Sequence, residues 1–175
     1  YQRKGVLNQD LLDILHMNVR LPERAMGDLR AQLTAIKSGE RRFLELIGRY
    51  SREAVLAWIA AIMDQSEAAA RTRTASIPDG VYWAESFMDD DGVDVDQPVP
   101  IRVKVIVEGD QMTVDLTEVS NQVKGFYNSG VTTGYACTQV AFKCLTSPTD
   151  YPINDGSFRN LTTIVPMGRI ISAQK

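Results

Sequence analysis

Three groups of residues in this chain have the side chains and spacing to do chemistry. The first is Asn154-Asp155-Gly156-Ser157-Phe158-Arg159. Asn and Gly permit left-handed backbone, and such loops can aim amide N–H groups at an anionic or carbonyl oxygen. This makes Asn154, Gly156 and Arg159 candidates for substrate contact, with a plain loop as the equal alternative. Ser157 as a nucleophile would need a neighbouring base, and the sequence offers none beside it. The second group lies at a helix junction, where Arg20, Asp28 and Arg30 either meet substrate or fix the joint through an Arg–Asp pair. Asn128, in the glycine- and asparagine-rich passage from Gly125 to Gly134, is a further candidate. The third group is the acidic run Asp89 to Asp96. It resembles part of a calcium loop but lacks the terminal Glu at the required spacing, so a solvated connection between strands is expected. His16 is the only histidine, with no second ligand nearby to complete a zinc set. No metal ligand and no catalytic residue is assigned.

The elements that must position these groups are legible from periodicity. Asn8 caps a first helix carrying Leu11, Leu12, Ile14, Leu15 and Val19, with Asp10 where the helix dipole favours a carboxylate. Pro22 ends it. A second helix runs from about Pro22 or Asp28 to Tyr50, with the seam Leu29, Leu33, Ile36, Phe43, Ile47 and Tyr50. Glu40 falls on the seam itself, as a buried ion pair or a group facing a cleft, since an unpaired buried charge is too costly. Ser51 caps a third helix carrying Val55, Ile59, Ile62 and Ala69. The spacing predicts an antiparallel hairpin of long, nearly parallel helices.

Ile77-Pro78-Asp79-Gly80 marks a turn into a different regime. Val81 to Phe87 reads as a strand. Ile101, Val103, Val105 and Val107 then alternate with polar residues, as do Met112, Val114 and Leu116 after Gly109-Asp110, so one face is buried and one wet. A fourth helix is expected over about 133–145, then a loop from 147 to 159, and strands at Leu161 to Val165 and Ile170-Ile171. The expected class is α+β: a helical region over 1–76, a β-rich region over 77–175, a helical hairpin and an antiparallel platform. Cys137 and Cys144 sit seven positions apart on a helix, so their Cα atoms are roughly 10 Å apart, beyond the ~7 Å reach of a disulfide. Buried thiols are expected.

At 44% hydrophobic and 23% charged, with a net charge of −3, the chain is of ordinary globular composition, without the basic patch that nucleic-acid binding requires. No apolar run approaches the ~20 residues of a membrane span, and the cytoplasm is the expected location.

Six blocks together resemble the hydantoinase B family, which includes N-methylhydantoinase, lactamase, acetone and acetophenone carboxylase subunits and the matching half of 5-oxoprolinase. They are Gly5 to Leu15 (GVLNQDLLDIL), Asn18 to Gln32 (NVRLPERAMGDLRAQ), Ser38 to Tyr50 (SGERRFLELIGRY), Ile77 to Gly92 (IPDGVYWAESFMDDDG), Val114 to Ser129 (VDLTEVSNQVKGFYNS) and Tyr151 to Arg159 (YPINDGSFR), in the family's order. The resemblance implies an internal fragment of a longer subunit in a heteromeric enzyme. A hydantoinase A-like partner would bind ATP and phosphorylate a carbonyl or amide oxygen, and the B-type subunit would carry a divalent metal. The family's metal ligands lie upstream of the block matching Gly5 to Leu15, so none is carried over, and the family often has Cys where Ser157 stands. Three functions follow: hydrolysis of cyclic amides, carboxylation of a ketone such as acetone or acetophenone, or a non-catalytic scaffold and interface module. The implied partners are the A-like subunit, the remainder of its own subunit, and a small cyclic amide or ketone, with neither nucleic acid nor membrane. The isolated chain is expected to be inactive.

Overall fold

The computed structural model describes residues 1–146 and 152–174; Tyr151 and the start of the expected loop lie outside the described residues. A short hairpin of β1 (Gln2–Arg3) and β2 (Val6–Leu7) leads into α1 (Gln9–Asn18), α2 (Pro22–Tyr50) and α3 (Arg52–Thr74). Strands β3 (Gly80–Met88), β4 (Val99–Glu108) and β5 (Gln111–Asp115) follow, then α4 (Val131–Thr146), a 3-10 turn (Asp155–Phe158) and β6 (Leu161–Ile164). The α+β class holds. The chain divides into compact units at residues 1–58 and 59–175. That division falls inside α3, not at the change from helix to strand.

The helix starts follow their caps. The Asn8 side chain accepts from the Leu11 N–H at 3.1 Å, Pro22 occupies the first turn of α2, and the Ser51 hydroxyl accepts from the Ala54 N–H at 3.3 Å. The α2 seam is exposed along much of its length, Ile36 at 68% and Phe43 at 41%. Glu40 is likewise exposed, so it is neither in a buried pair nor in a dry seam.

In the second unit the sheet order is β3-β4-β5-β6. The first two pairings are antiparallel, with Ala84 opposite Val103 and Val107 opposite Met112. The last is parallel, with Met112 beside Leu161, so the expected antiparallel platform is a mixed sheet. The parallel step follows because β5 and β6 are joined through α4 and not by a tight turn. Ile170-Ile171 is not a strand; it lies in a turn between isolated bridges at Arg169 and Ser172. The core gathers Val99, Val107, Met112, Val114, Val119, Phe142 and Ile170, with Ala70 of α3. On the sheet's other face Lys104 lies over the Trp83 ring at 5.6 Å and Arg102 pairs with Glu85.

Helix α4 departs from expectation in an instructive way. It buries Gly134, Thr138, Phe142 and Thr146, an i, i+4 stripe, and leaves Cys137 and Cys144 exposed. The reason is space. A Cβ on Gly134 would meet Val165 Cγ1 at 2.8 Å, so a thin stripe is what lets the helix sit down. The threonine hydroxyls bond at 2.8 Å to carbonyls one turn back, Thr138 to Tyr135 and Thr146 to Phe142. Their burial therefore leaves no donor unmade.

Candidate functional site

The Asn154–Arg159 loop is seated on one face of α3. Asn154 caps the 3-10 turn, accepting from the Gly156 N–H at 2.9 Å, while its Nδ2 donates to Ser66 Oγ at 2.8 Å. Gly156 is where the two backbones meet. A Cβ there would lie 2.1 Å from the Met63 carbonyl oxygen, which no side chain tolerates. Arg159 then donates from one terminal nitrogen to Asp64 Oδ1 at 2.8 Å and Glu67 Oε2 at 2.9 Å. Glu67 also accepts from Arg71 at 2.7 Å, and Arg71 reaches Asp110 at 3.2 Å.

The electrostatics follow from this chain of pairs. The hydrogen bond from Arg159, then that from Arg71, holds the Glu67 carboxyl below the usual carboxylate range against a desolvation cost. Glu67 in turn raises Arg159 and Arg71 further. The network holds three carboxylates (Asp64, Glu67, Asp110) against two guanidinium groups, so Arg159 is already paired with two carboxylates where an anionic substrate would otherwise bind. Ser157 is buried.

A second knot joins the acidic loop to the glycine-rich passage. Asp91, 3% exposed, corrects the expectation of a wholly solvated loop. Its Oδ1 accepts from the N–H groups of Val93 at 2.8 Å and Asp94 at 2.7 Å. Its Oδ2 accepts from those of Lys124 and Gly125, both at 3.1 Å. These four bonds, Asp94 and Val93 first, depress its pKa despite burial. A carboxylate saturated by amides has no lone pairs facing a cation, which removes the calcium-loop resemblance. A Cβ on Gly125 would lie 1.6 Å from the Asp91 carbonyl oxygen, so only glycine fits the crossing. Asn128 staples the same passage, accepting from the Val123 N–H at 2.8 Å and donating to the Val123 and Gly125 carbonyls. Beside the knot lies a concavity of about 330 Å³ lined by Asp94, Gln97, Ser120, Gln122 and Lys124. Asp91 was missed because its role depends on Gly125; the spacing of the acidic run alone gives no sign of it.

Arg20, Asp28 and Arg30 belong to the first unit. None of them enters an ion pair among the described residues, so the expected Arg–Asp joint is not made. Arg30 lines a cavity of about 340 Å³ with Leu12, His16, Glu23, Met26 and Leu33. There the Tyr1 hydroxyl donates to the Leu29 carbonyl at 2.5 Å and His16 Nε2 lies 3.4 Å from Glu23 Oε1. The seven candidates thus fall in three places: a junction and cavity in the first unit, the Asn128 staple, and the loop on α3.

Among the described residues no three His, Cys, Asp or Glu side chains are grouped to hold a metal ion. No described helix is long and apolar enough to cross a membrane.

Comparison with known proteins gives a consistent answer. The chain is 40% identical over 124 residues to the B subunit of a putative D-/L-hydantoinase of Pseudomonas sp. (strain NS671), covering 69% of this chain and 21% of that protein. It superposes on the ATP-dependent caprolactamase of Pseudomonas jessenii with a TM-score of 0.77 at 28% identity, over 98% of this chain and 29% of that one. A nucleotide-free acetone carboxylase structure shares the fold at a TM-score of 0.80 and 17% identity, over 98% of this chain and 24% of that one. The chain therefore spans between a fifth and a third of the length of these three relatives. The family model for hydantoinase B/oxoprolinase matches residues 1–175, the whole chain, and the chain belongs to that family.

Proposed function

We propose that this chain is a segment of the B-type subunit of an ATP-dependent enzyme that hydrolyses cyclic amides. The observation that carries this reading is the similarity to two amide-acting relatives, a hydantoinase subunit and a caprolactamase, at 40% and 28% identity. The likeness to acetone carboxylase, at 17%, supports the fold alone, and the ketone-carboxylase reading stands second. In this proposal a hydantoinase A-like partner uses ATP to phosphorylate the amide oxygen. Water then adds to the activated carbon, and the C–N bond breaks as the ring nitrogen leaves protonated. The acyl phosphate so formed is hydrolysed by a second water to a carboxylate and inorganic phosphate. The divalent metal implied for such an enzyme belongs to other parts of the subunit, and the complex is cytoplasmic.

Within this segment the geometry divides the candidates. Asn128, Asn154, Gly156 and Arg159 are engaged in ties within the second unit, which favours a scaffold role for them. Arg20, Asp28 and Arg30 have polar groups not committed to an ion pair and remain the proposed substrate contacts. The test is steady-state kinetics of the complex assembled with its A-like partner, on a hydantoin and on caprolactam. Arg30→Gln is expected to raise KM about tenfold or more with assembly intact, because a charged hydrogen bond contributes about 1.5–3 kcal/mol. Arg159→Gln is expected to leave kcat and KM of the assembled complex unchanged. A normal KM in Arg30→Gln would defeat the assignment; ATP-dependent carboxylation without amide hydrolysis would replace the reaction.

A further inference from the structure

Helices α2 and α3 are joined by a single residue, and its backbone is in the wrong region for its side chain. Ser51 has φ 74 and ψ 156, values that glycine adopts freely and other residues only under strain. The hydrogen bonds on either side of it are helical. The Ser51 N–H donates to the Ile47 carbonyl at 3.0 Å, and the Ser51 carbonyl accepts from the Val55 N–H at 3.2 Å. Both are four-residue steps, as in an unbroken helix. Only the three steps between them are lost. Arg52, Glu53 and Ala54 do not donate to Gly48, Arg49 and Tyr50, and Ala54 turns to the Ser51 hydroxyl instead, at 3.3 Å. No proline stands at the break to forbid helix. Ordinary helical angles at Ser51 would recover three backbone bonds, release the strain and run α2 into α3 as one helix.

Contacts made across the break oppose that relaxation. Tyr50 and Trp58 meet edge-on with ring centroids 5.1 Å apart. Along a continuous helix, side chains eight positions apart are about 12 Å apart and tilt the same way. The contact therefore exists only while the joint is broken. Arg49 lies 5.0 Å over the Tyr50 ring, and Val55, one turn beyond Ser51, is 5% exposed. All of these residues lie within the first unit. A half-exposed aromatic clasp set against three backbone bonds and a strained φ is a narrow balance, and a narrow balance can be tipped.

We propose that Ser51 is a two-state joint, broken while the Tyr50–Trp58 clasp holds and continuous when the clasp opens. Arg20, Asp28 and Arg30 all precede it, so a change at Ser51 moves these proposed substrate contacts as one group. That consequence rests on the reading of this chain as part of an amide-opening enzyme; the joint itself does not.

The test is a pulsed electron-spin distance measurement on the complex assembled with the A-like subunit. Spin labels are carried by noncanonical residues placed at Lys37 and Ala57, both exposed. A continuous helix sets these positions roughly 30 Å apart at 1.5 Å per residue. The wild type is expected to show two populations, one of them at that distance. Trp58→Ala opens the clasp, and Ser51→Ala removes the hydroxyl bonded to Ala54 and favours helix. Each should enlarge the helical population at least threefold. Ser51→Gly should shrink it at least threefold, because glycine relieves the broken form and disfavours helix. A single distance that none of the three variants shifts would make Ser51 a fixed turn and overturn the proposal. In steady-state kinetics on a hydantoin and on caprolactam, Ser51→Gly should lower kcat at least threefold with assembly intact. An unchanged kcat beside a shifted distance overturns the tie to the substrate contacts. If the wild-type complex opens neither ring, the reading of the reaction falls, and the distances still decide the joint.

Discussion

Glu67 lies between two guanidinium groups and Asp91 beneath four amide N–H groups, and both carboxyls are held below their ordinary range. A carboxylate of depressed pKa stabilises the fold fully above its unfolded value, near 4, and the contribution is lost as pH falls through the folded value. The urea midpoint is therefore expected to be flat from about pH 5 to 7 and to drop below about pH 4. Asp91→Asn should be less stable at neutral pH and have a shallower acid limb; an acid limb identical to wild type would contradict the role given to Asp91. Gly156→Ala forces a methyl group into the Met63 backbone and should cost about 1–3 kcal/mol or more in urea unfolding. A loss below about 0.5 kcal/mol, ordinary for a surface position, would mean the loop is not seated on α3. At this scale the sequence is least informative. It singled out Asn154, Gly156 and Arg159, but Arg159 finds Asp64 and Glu67 at sequence separations of 95 and 92, and nothing local in the chain announces partners so distant.

Elements were far more legible, because capping and alternation are local. Asn8, Pro22 and Ser51 set helix starts where expected, and the alternation from Ile101 to Leu116 located β4 and β5. The β1–β2 hairpin escaped notice because two-residue strands carry no period; its signal was Lys4-Gly5, both in the left-handed region at φ 50 and 83. The orientation of α4 was misread for a physical reason. Periodicity assumes that apolar residues face inward, whereas α4 turns glycine and threonine toward the sheet and leaves Val140, Cys144 and Leu145 outside. Two outcomes follow for this helix. Phe142→Ala should cost about 3–5 kcal/mol by urea unfolding, the range for a buried aromatic truncated in a packed core. Cys137 and Cys144 should both react with a maleimide in the native state within minutes; labelling limited by unfolding would contradict their exposure.

For the molecule as a whole, the decisive contrast is between the units. Among the described residues, Val55 is the only buried one in 1–58, while the second unit holds the core around Val107, Met112 and Phe142. Without buried apolar area a helix of any length depends on little beyond its own backbone bonds. Amide exchange in the isolated chain should therefore be much faster along α2 than along β4. Equal protection of α2 and β4 in the free chain would overturn this account of the first unit.

The parallel pairing of β5 with β6 has a consequence in time. Met112 and Leu161 are neighbours in the sheet but are made almost fifty residues apart, with α4 between them. Strands β3, β4 and β5 are joined by local antiparallel turns and can associate as they leave the ribosome, while β6 is still unmade. During that interval β5 presents an open edge, the kind of surface that templates aggregation. Closure of a loop this long is slow compared with hairpin formation. In pulse-labelling of refolding chains, protection should therefore arise first in the β3–β4–β5 ladder and last in β6.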